Sequence, residues 1–136
     1  MYIPAVRRST EFVALCFAFG VLTVILTYPL GLHPGSFARF DADGRFSIWN
    51  VAWVAHAITS APLDLWNANI FYPASGTLSY SEANIAAGVL AAPVYWLTGN
   101  PYAAHNLVLL TSFVLSALGM YYRRLPSRLR RCGSGQ

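Results

Sequence analysis

The chain has 136 residues, room for one domain, and is 56% hydrophobic and only 10% charged, against roughly 25% charged in a typical soluble domain. With a mean hydropathy of +0.46, this composition excludes a water-soluble globular fold of this size and places the chain among integral membrane proteins. The net charge of +4 does not describe a nucleic-acid binder, because five of the nine basic residues are arginines within 123–131, directly after an apolar run, where they read as a topology signal.

The cysteines give no framework. Cys16 lies in the first apolar run and Cys132 near the C-terminus, with no CxxC pair, so neither a disulfide scaffold nor a metal knuckle is expected. There is no glycosylation sequon, P-loop or GxGxxG fingerprint.

In chain order, a short head carries Arg7 and Arg8. It is followed by 12–32, an uncharged run of 21 residues that is long enough to cross a hydrocarbon core of about 30 Å. Pro29 and Gly31 mark its far end. A cleaved signal peptide is the competing reading, but the run exceeds an h-region of about 7–15 residues and 30–38 offers no clean small-x-small site.

Residues 33–45 read as a loop broken by Pro34, Gly35 and Gly44. It carries two carboxylates, Asp41 and Asp43, between Arg39 and Arg45. Asp-Gly is a common turn dipeptide, which would account for Asp43 but not for Asp41. A helix is expected over 46–60, with Trp49, Trp53 and His56 on one face. It is too short and mixed to span, and its tryptophans suit the headgroup layer, so it reads as an interfacial helix. Residues 63–82 are irregular and rich in aromatics, and Glu82 is placed to begin the next helix.

The next run, 83–97, is apolar but below the usual spanning length and is interrupted by Pro93. The run 103–122 is a full spanning helix closed by Arg123 and Arg124. Charge decides the number of crossings. If 83–97 spanned, the arginines of 123–131 would lie outside, against the positive-inside rule. The fold class expected is therefore all-α. Two transmembrane helices, 12–32 and 103–122, are joined by a long extracytoplasmic loop holding two short interfacial helices, 46–60 and 83–97. Both termini are cytoplasmic. The region 33–102 holds four acids against two arginines, which fits the outer side. Residues 1–125 form a single membrane module and 126–136 a basic, disordered cytoplasmic tail.

Several motifs together resemble a known family. They are Asp41-x-Asp43-Gly-Arg followed by Trp49-Asn50-x-x-Trp53; Asn67-Ala-Asn-Ile-Phe-Tyr-Pro73 followed by Thr77-Leu-Ser-Tyr-Ser-Glu82; Tyr102-Ala-Ala-His-Asn-Leu107; and Ser116-Ala-Leu-Gly-Met-Tyr-Tyr122. The set resembles the N-terminal region of bacterial multi-pass membrane proteins of the GT-C glycosyltransferase superfamily. The resemblance implies a bacterial cytoplasmic-membrane location, an essential acid in the first outer loop, and donors that are polyprenyl-phosphate-linked sugars. Members are several times longer, so the resemblance also implies a fragment that is inactive alone and whose partner is the missing C-terminal part.

Carried over, the catalytic acid falls on Asp43 or Asp41, since a carboxylate within hydrogen-bond reach can take the acceptor proton. Arg45 is a candidate for the donor phosphate, with His56 and Glu82 as further substrate-binding candidates. For His56 a structural, hydrogen-bonded role is the competing reading. No metal site or other cofactor is expected, because two acids alone do not complete a divalent-cation site. The alternative from another class is a small non-catalytic membrane protein that packs against another membrane protein. Membrane lipid is a partner in both readings, and nucleic acid in neither.

Overall fold

The computed structural model describes the backbone of residues 5–37 and 41–132, and the side chains of 10–37 and 41–123. Among the described residues the protein is all-helical, with no strand. Its helices are α1 (Ala5–Leu26), α2 (Ala42–Ser60), α3 (Ile85–Thr98) and α4 (Pro101–Cys132). Short 3-10 turns occupy Pro62–Asp64 and Thr77–Tyr80. The chain divides into two compact units, 1–31 with 110–136, and 32–109.

In the first unit α1 stops at Leu26, six residues short of the end that hydropathy suggests. Pro29 is the physical reason. It has no N–H to give to the carbonyl four residues back, its ring crowds that carbonyl, and it disfavours a helical Tyr28. Residues 27–32 are turns instead. The C-terminal part of α4 runs antiparallel to α1. Near one end the Tyr121 hydroxyl donates to Glu11 Oε1 at 2.6 Å and Phe12 stacks on Tyr122. Toward the other, Thr23 and Val24 share a furrow with Leu110 and Val114.

In the second unit α2 is the central element. Ile48, Asn50, Val51, Val54, Ala55 and Ala57 are all buried, a wide face for a single helix. Its main neighbour is α3, which presents the small residues Gly88, Ala91 and Ala92. These let the two backbones come close, and Trp96 Nε1 of α3 donates to the Ala55 carbonyl of α2 at 2.9 Å. Pro93 is tolerated inside α3 and faces outward. Gly99, in the left-handed region, ends the helix with its N–H on the Tyr95 carbonyl, the usual way a glycine closes a helix.

The other flank of α2 packs on the segment after it. Val54, Ala68 and Leu78 form a buried cluster with Trp49, Trp53, Leu65 and Ile70 around it. The indoles of Trp49 and Trp53 donate to Asn69 Oδ1 and to the Leu65 carbonyl. Their polar edges hold the 62–82 segment onto α2.

The N-terminus of α4 grips the stretch after α1. Asn100 Oδ1 accepts from the backbone N–H groups of Tyr102 and Ala103, while its amide donates to the Gly35 carbonyl at 2.9 Å. Asn106 is 1% exposed and donates to the carbonyls of Pro34 and Phe37, both at 2.7 Å. Asn106 is thus a buried clamp.

Pro101–Arg123 is long and apolar enough to cross a membrane, and only 17% of its apolar window is buried. It is the one such helix among the described residues, and it makes membrane association the plain reading of the fold. Thr10–Leu26 and Ile85–Thr98 are apolar but shorter. The helix α4 continues to Cys132, past the point where the sequence reading begins a disordered tail. Residues 133–136, like Arg39, lie outside the described residues.

Candidate functional site

The acidic motif is not a loop. It is the N-terminal end of α2, which begins at Ala42, four residues before the expected start. Asp41 is the N-cap, with an extended backbone, and its Oδ1 accepts from the Gly44 N–H at 2.8 Å. This satisfies one of the orphan donors that every helix start leaves open. Asp43 sits in the first turn, where a negative charge meets the positive end of the helix dipole.

The two acids therefore differ. The carboxylate of Asp41 is turned back onto the helix end. That of Asp43 is exposed and makes no hydrogen bond or ion pair with a described residue. Two positions apart on a helix, side chains do not face each other, so the pair does not converge as two carboxylates on one point. Arg45 is likewise exposed and has no ion pair among the described residues, and it leaves the helix about 200° around from Asp43.

Glu82 is brought toward the Asp43 face by a residue that sequence reasoning did not single out. Asn50 lies two turns beyond Asp43 on nearly the same face and is fully buried. Its Nδ2 donates to the Glu82 carbonyl. The Glu82 side chain itself is exposed. It does not begin α3, which starts at Ile85 after Asn84 in the left-handed region, so the expected helix-start role is corrected. The Asn50 Oδ1 is buried with no hydrogen-bond partner among the described residues. In sequence the signal was a polar residue between two tryptophans on an otherwise apolar helix, recognisable only once the burial of that face is known.

His56 stands apart. It is thirteen residues along α2 from Asp43, about 20 Å along the axis. It is exposed, with its ring 6.2 Å from that of Trp53. The structure places Asp41, Asp43 and Arg45 on one helix end and holds the Glu82 carbonyl at Asn50, about 10 Å further along the axis. It does not bring His56 there.

No group of three or more His, Cys, Asp or Glu among the described residues could hold a metal ion. The larger furrow on the α1–α4 pair, lined by residues such as Phe19, Leu26, Thr27 and Phe113, is apolar. The hydroxyls of Thr23 and Thr27 are spent on the carbonyls of Phe19 and Thr23, leaving their methyls to the furrow. No family model, no curated protein and no solved structure matches this chain.

Proposed function

We propose that the chain is the N-terminal module of a bacterial membrane glycosyltransferase-like protein of GT-C type. Helices α1 and α4 cross the cytoplasmic membrane twice, residues 33–102 lie on the outer side, and both termini are cytoplasmic. The observation that carries this reading is the contrast between Asp41 and Asp43. One acid is used to cap α2, while the other has no hydrogen-bond or ion-pair partner among the described residues at the same helix end, on a packed unit of a membrane-associated fold.

In this reading Asp43 is the base. An acceptor hydroxyl attacks the anomeric carbon of the donor, the bond to the phosphate oxygen breaks, and polyprenyl phosphate leaves. The hydroxyl proton passes to the Asp43 carboxylate, a transfer typically worth 10²–10⁴ in rate. Arg45, long and charged, takes the donor phosphate. Glu82 is a second contact for the sugar. Helix α3, at 14 residues, is about 21 Å long and lies in the interface without crossing. Its outward residues Val89, Leu90 and Leu97 are exposed and apolar, and α3 has no charged residue, both of which support that placement. The furrows lined by described residues are apolar, and charge stabilisation is strongest in a walled polar site, so in this reading the chain by itself binds the donor without turning it over.

The test is photolabelling of the chain in nanodiscs with a photoactivatable polyprenyl-phosphate sugar. Labelling that falls in Arg45→Gln and is competed by unlabelled donor supports the reading. Labelling that is absent, or indifferent to Arg45→Gln and to competitor, overturns it.

The second reading, a non-catalytic protein packed against another membrane protein, is favoured by one observation. Leu63, Tyr72 and Leu97 are 100%, 97% and 88% exposed. Under that reading the chain is recovered from native membranes in a stoichiometric complex and shows no donor labelling.

A further inference from the structure

The segment between α2 and α3 has an unusual division of its side chains. Five of its polar side chains are turned onto its own backbone or onto α2, while the charged Asp64 and Glu82 near its two ends are exposed. Asn67 Oδ1 accepts from the Gly76 N–H, and Thr77 donates to the Ala68 carbonyl. Ser79 and Tyr80 donate to the carbonyls of Gly76 and Ser75. Asn69 Oδ1 receives the Trp49 indole. What the segment shows to the outside at its tip is aromatic: Phe71 is 65% exposed, Tyr72 97% and Tyr80 61%. The Phe71 and Tyr80 rings stack with centroids 6.3 Å apart.

Phe71 also has a φ of +58°, a left-handed conformation uncommon for a bulky non-glycine residue. Such strain persists only where the surroundings over-determine it. Here the hydrogen bonds on either side fix the tip, with the Ala74 N–H on the Phe71 carbonyl closing it at 2.9 Å. The segment is built to present these rings.

We propose that Phe71, Tyr72 and Tyr80 seat this segment in the headgroup layer of a lipid bilayer. A low-dielectric surrounding demands that backbone polar groups be satisfied internally, and this segment does so with its own side chains. Aromatic rings with one polar edge are the residues enriched at that depth. A glycan bound on the same rings would need hydrogen-bonding groups turned toward it, and the five polar side chains named above are turned elsewhere. The same unit carries other exposed apolar residues next to the apolar stretch of α4. Trp96 and Leu97 are exposed at the end of α3, and only Gly99 and Asn100 separate α3 from the spanning stretch that starts at Pro101. Between Arg45 and Arg123 the sequence has no Lys or Arg, so the attachment draws on the aromatic rings and not on anionic lipid. It rests on the membrane reading alone and is independent of any role for Asp43.

The test is nitroxide depth measurement. Tyr72→Cys and, separately, Tyr80→Cys are made in the full chain with Cys16→Ser and Cys132→Ser, spin-labelled, and placed in zwitterionic phosphatidylcholine nanodiscs. Collision with oxygen relative to a water-soluble nickel chelate is expected to be severalfold above that of the free nitroxide in water at both positions, and unchanged when anionic lipid is added. A ratio equal to that of the free nitroxide at both positions overturns the proposal. So does a water-exposed label whose mobility falls on adding soluble oligosaccharide, which would make the rings a glycan platform. Equal helical content of the labelled and parent proteins by circular dichroism confirms that folding is intact. Donor photolabelling is a separate readout, so either result leaves the catalytic reading to its own test.

Discussion

Gly88 of α3 lies directly against Val54 of α2: a Cβ built on Gly88 would come 2.5 Å from the Val54 Cβ and Cγ1. The side chain it meets is fully buried and β-branched, with one preferred rotamer in a helix, so it cannot swing aside. Gly88→Ala should therefore lose about 1–3 kcal/mol of stability, the usual cost of overpacking a tight core. Chemical denaturation in mild detergent measures it. The second-site change Val54→Gly removes both atoms at that contact. A double-mutant cycle should show coupling, with Gly88→Ala costing clearly less in the Val54→Gly background. Additive effects would mean that the two helices do not meet there.

The N-cap predicts unequal behaviour of the two acids in stability. Asp41→Ala removes the acceptor of the Gly44 N–H and should cost about 0.5–2 kcal/mol. Asp41→Asn keeps an acceptor oxygen and should cost much less. Asp43→Asn touches no described partner and should stay within about 0.5 kcal/mol, the range of ordinary surface changes. Thermal unfolding of the three variants side by side gives the order.

Asn106 should be the more costly polar residue to lose. It is buried and holds two carbonyls that are 69 and 72 residues away in sequence. Asn106→Leu leaves both acceptors without their donor, at about 1–3 kcal/mol for each buried group left unsatisfied. Stability should fall, and the 33–37 stretch should become more readily cut by protease than in the parent. Unchanged cleavage would show that the clamp does not hold that stretch.

Topology gives a prediction independent of chemistry. If the chain crosses twice as proposed, reporters fused at Gly76 and at Gln136 should report opposite sides of the membrane, with Gln136 cytoplasmic, because flanking arginines stay inside. An external reporter at Gln136 would remove the two-span arrangement and with it the outer location of Asp43.

The helices were legible in sequence because apolar runs and breakers set them locally. Pro29, Pro93 and Gly99 each act on their immediate neighbours, although the run to Leu32 hid the early stop that Pro29 imposes. What sequence did not reveal depends on contacts far along the chain. Trp49 and Trp53 looked like interface residues because their partners, Asn69 and the Leu65 carbonyl, are set by the fold of the next segment. Asn106 could not be read as a clamp because the carbonyls it holds lie 69 and 72 residues away in sequence. Asp41 was readable in principle, since Asp before a helix start is a capping signal. The expected start at Phe46 placed it too far from the helix to be seen as one. At the candidate site the residues were visible in sequence, but their separate roles were not, because those depend on which carboxylate the Gly44 N–H takes.

The most direct measurement is sugar transfer in a longer protein that carries residues 1–125 of this chain ahead of the further membrane helices the resemblance implies. Transfer from a polyprenyl-phosphate-linked sugar is followed for the parent, Asp43→Asn and Asp41→Asn, with membrane insertion checked in parallel. The account predicts that Asp43→Asn inserts normally and loses at least about 10²-fold in rate, as loss of a general base should, while Asp41→Asn keeps most of the activity because asparagine still caps α2. Parent-like turnover by Asp43→Asn, or loss confined to Asp41→Asn, would contradict it.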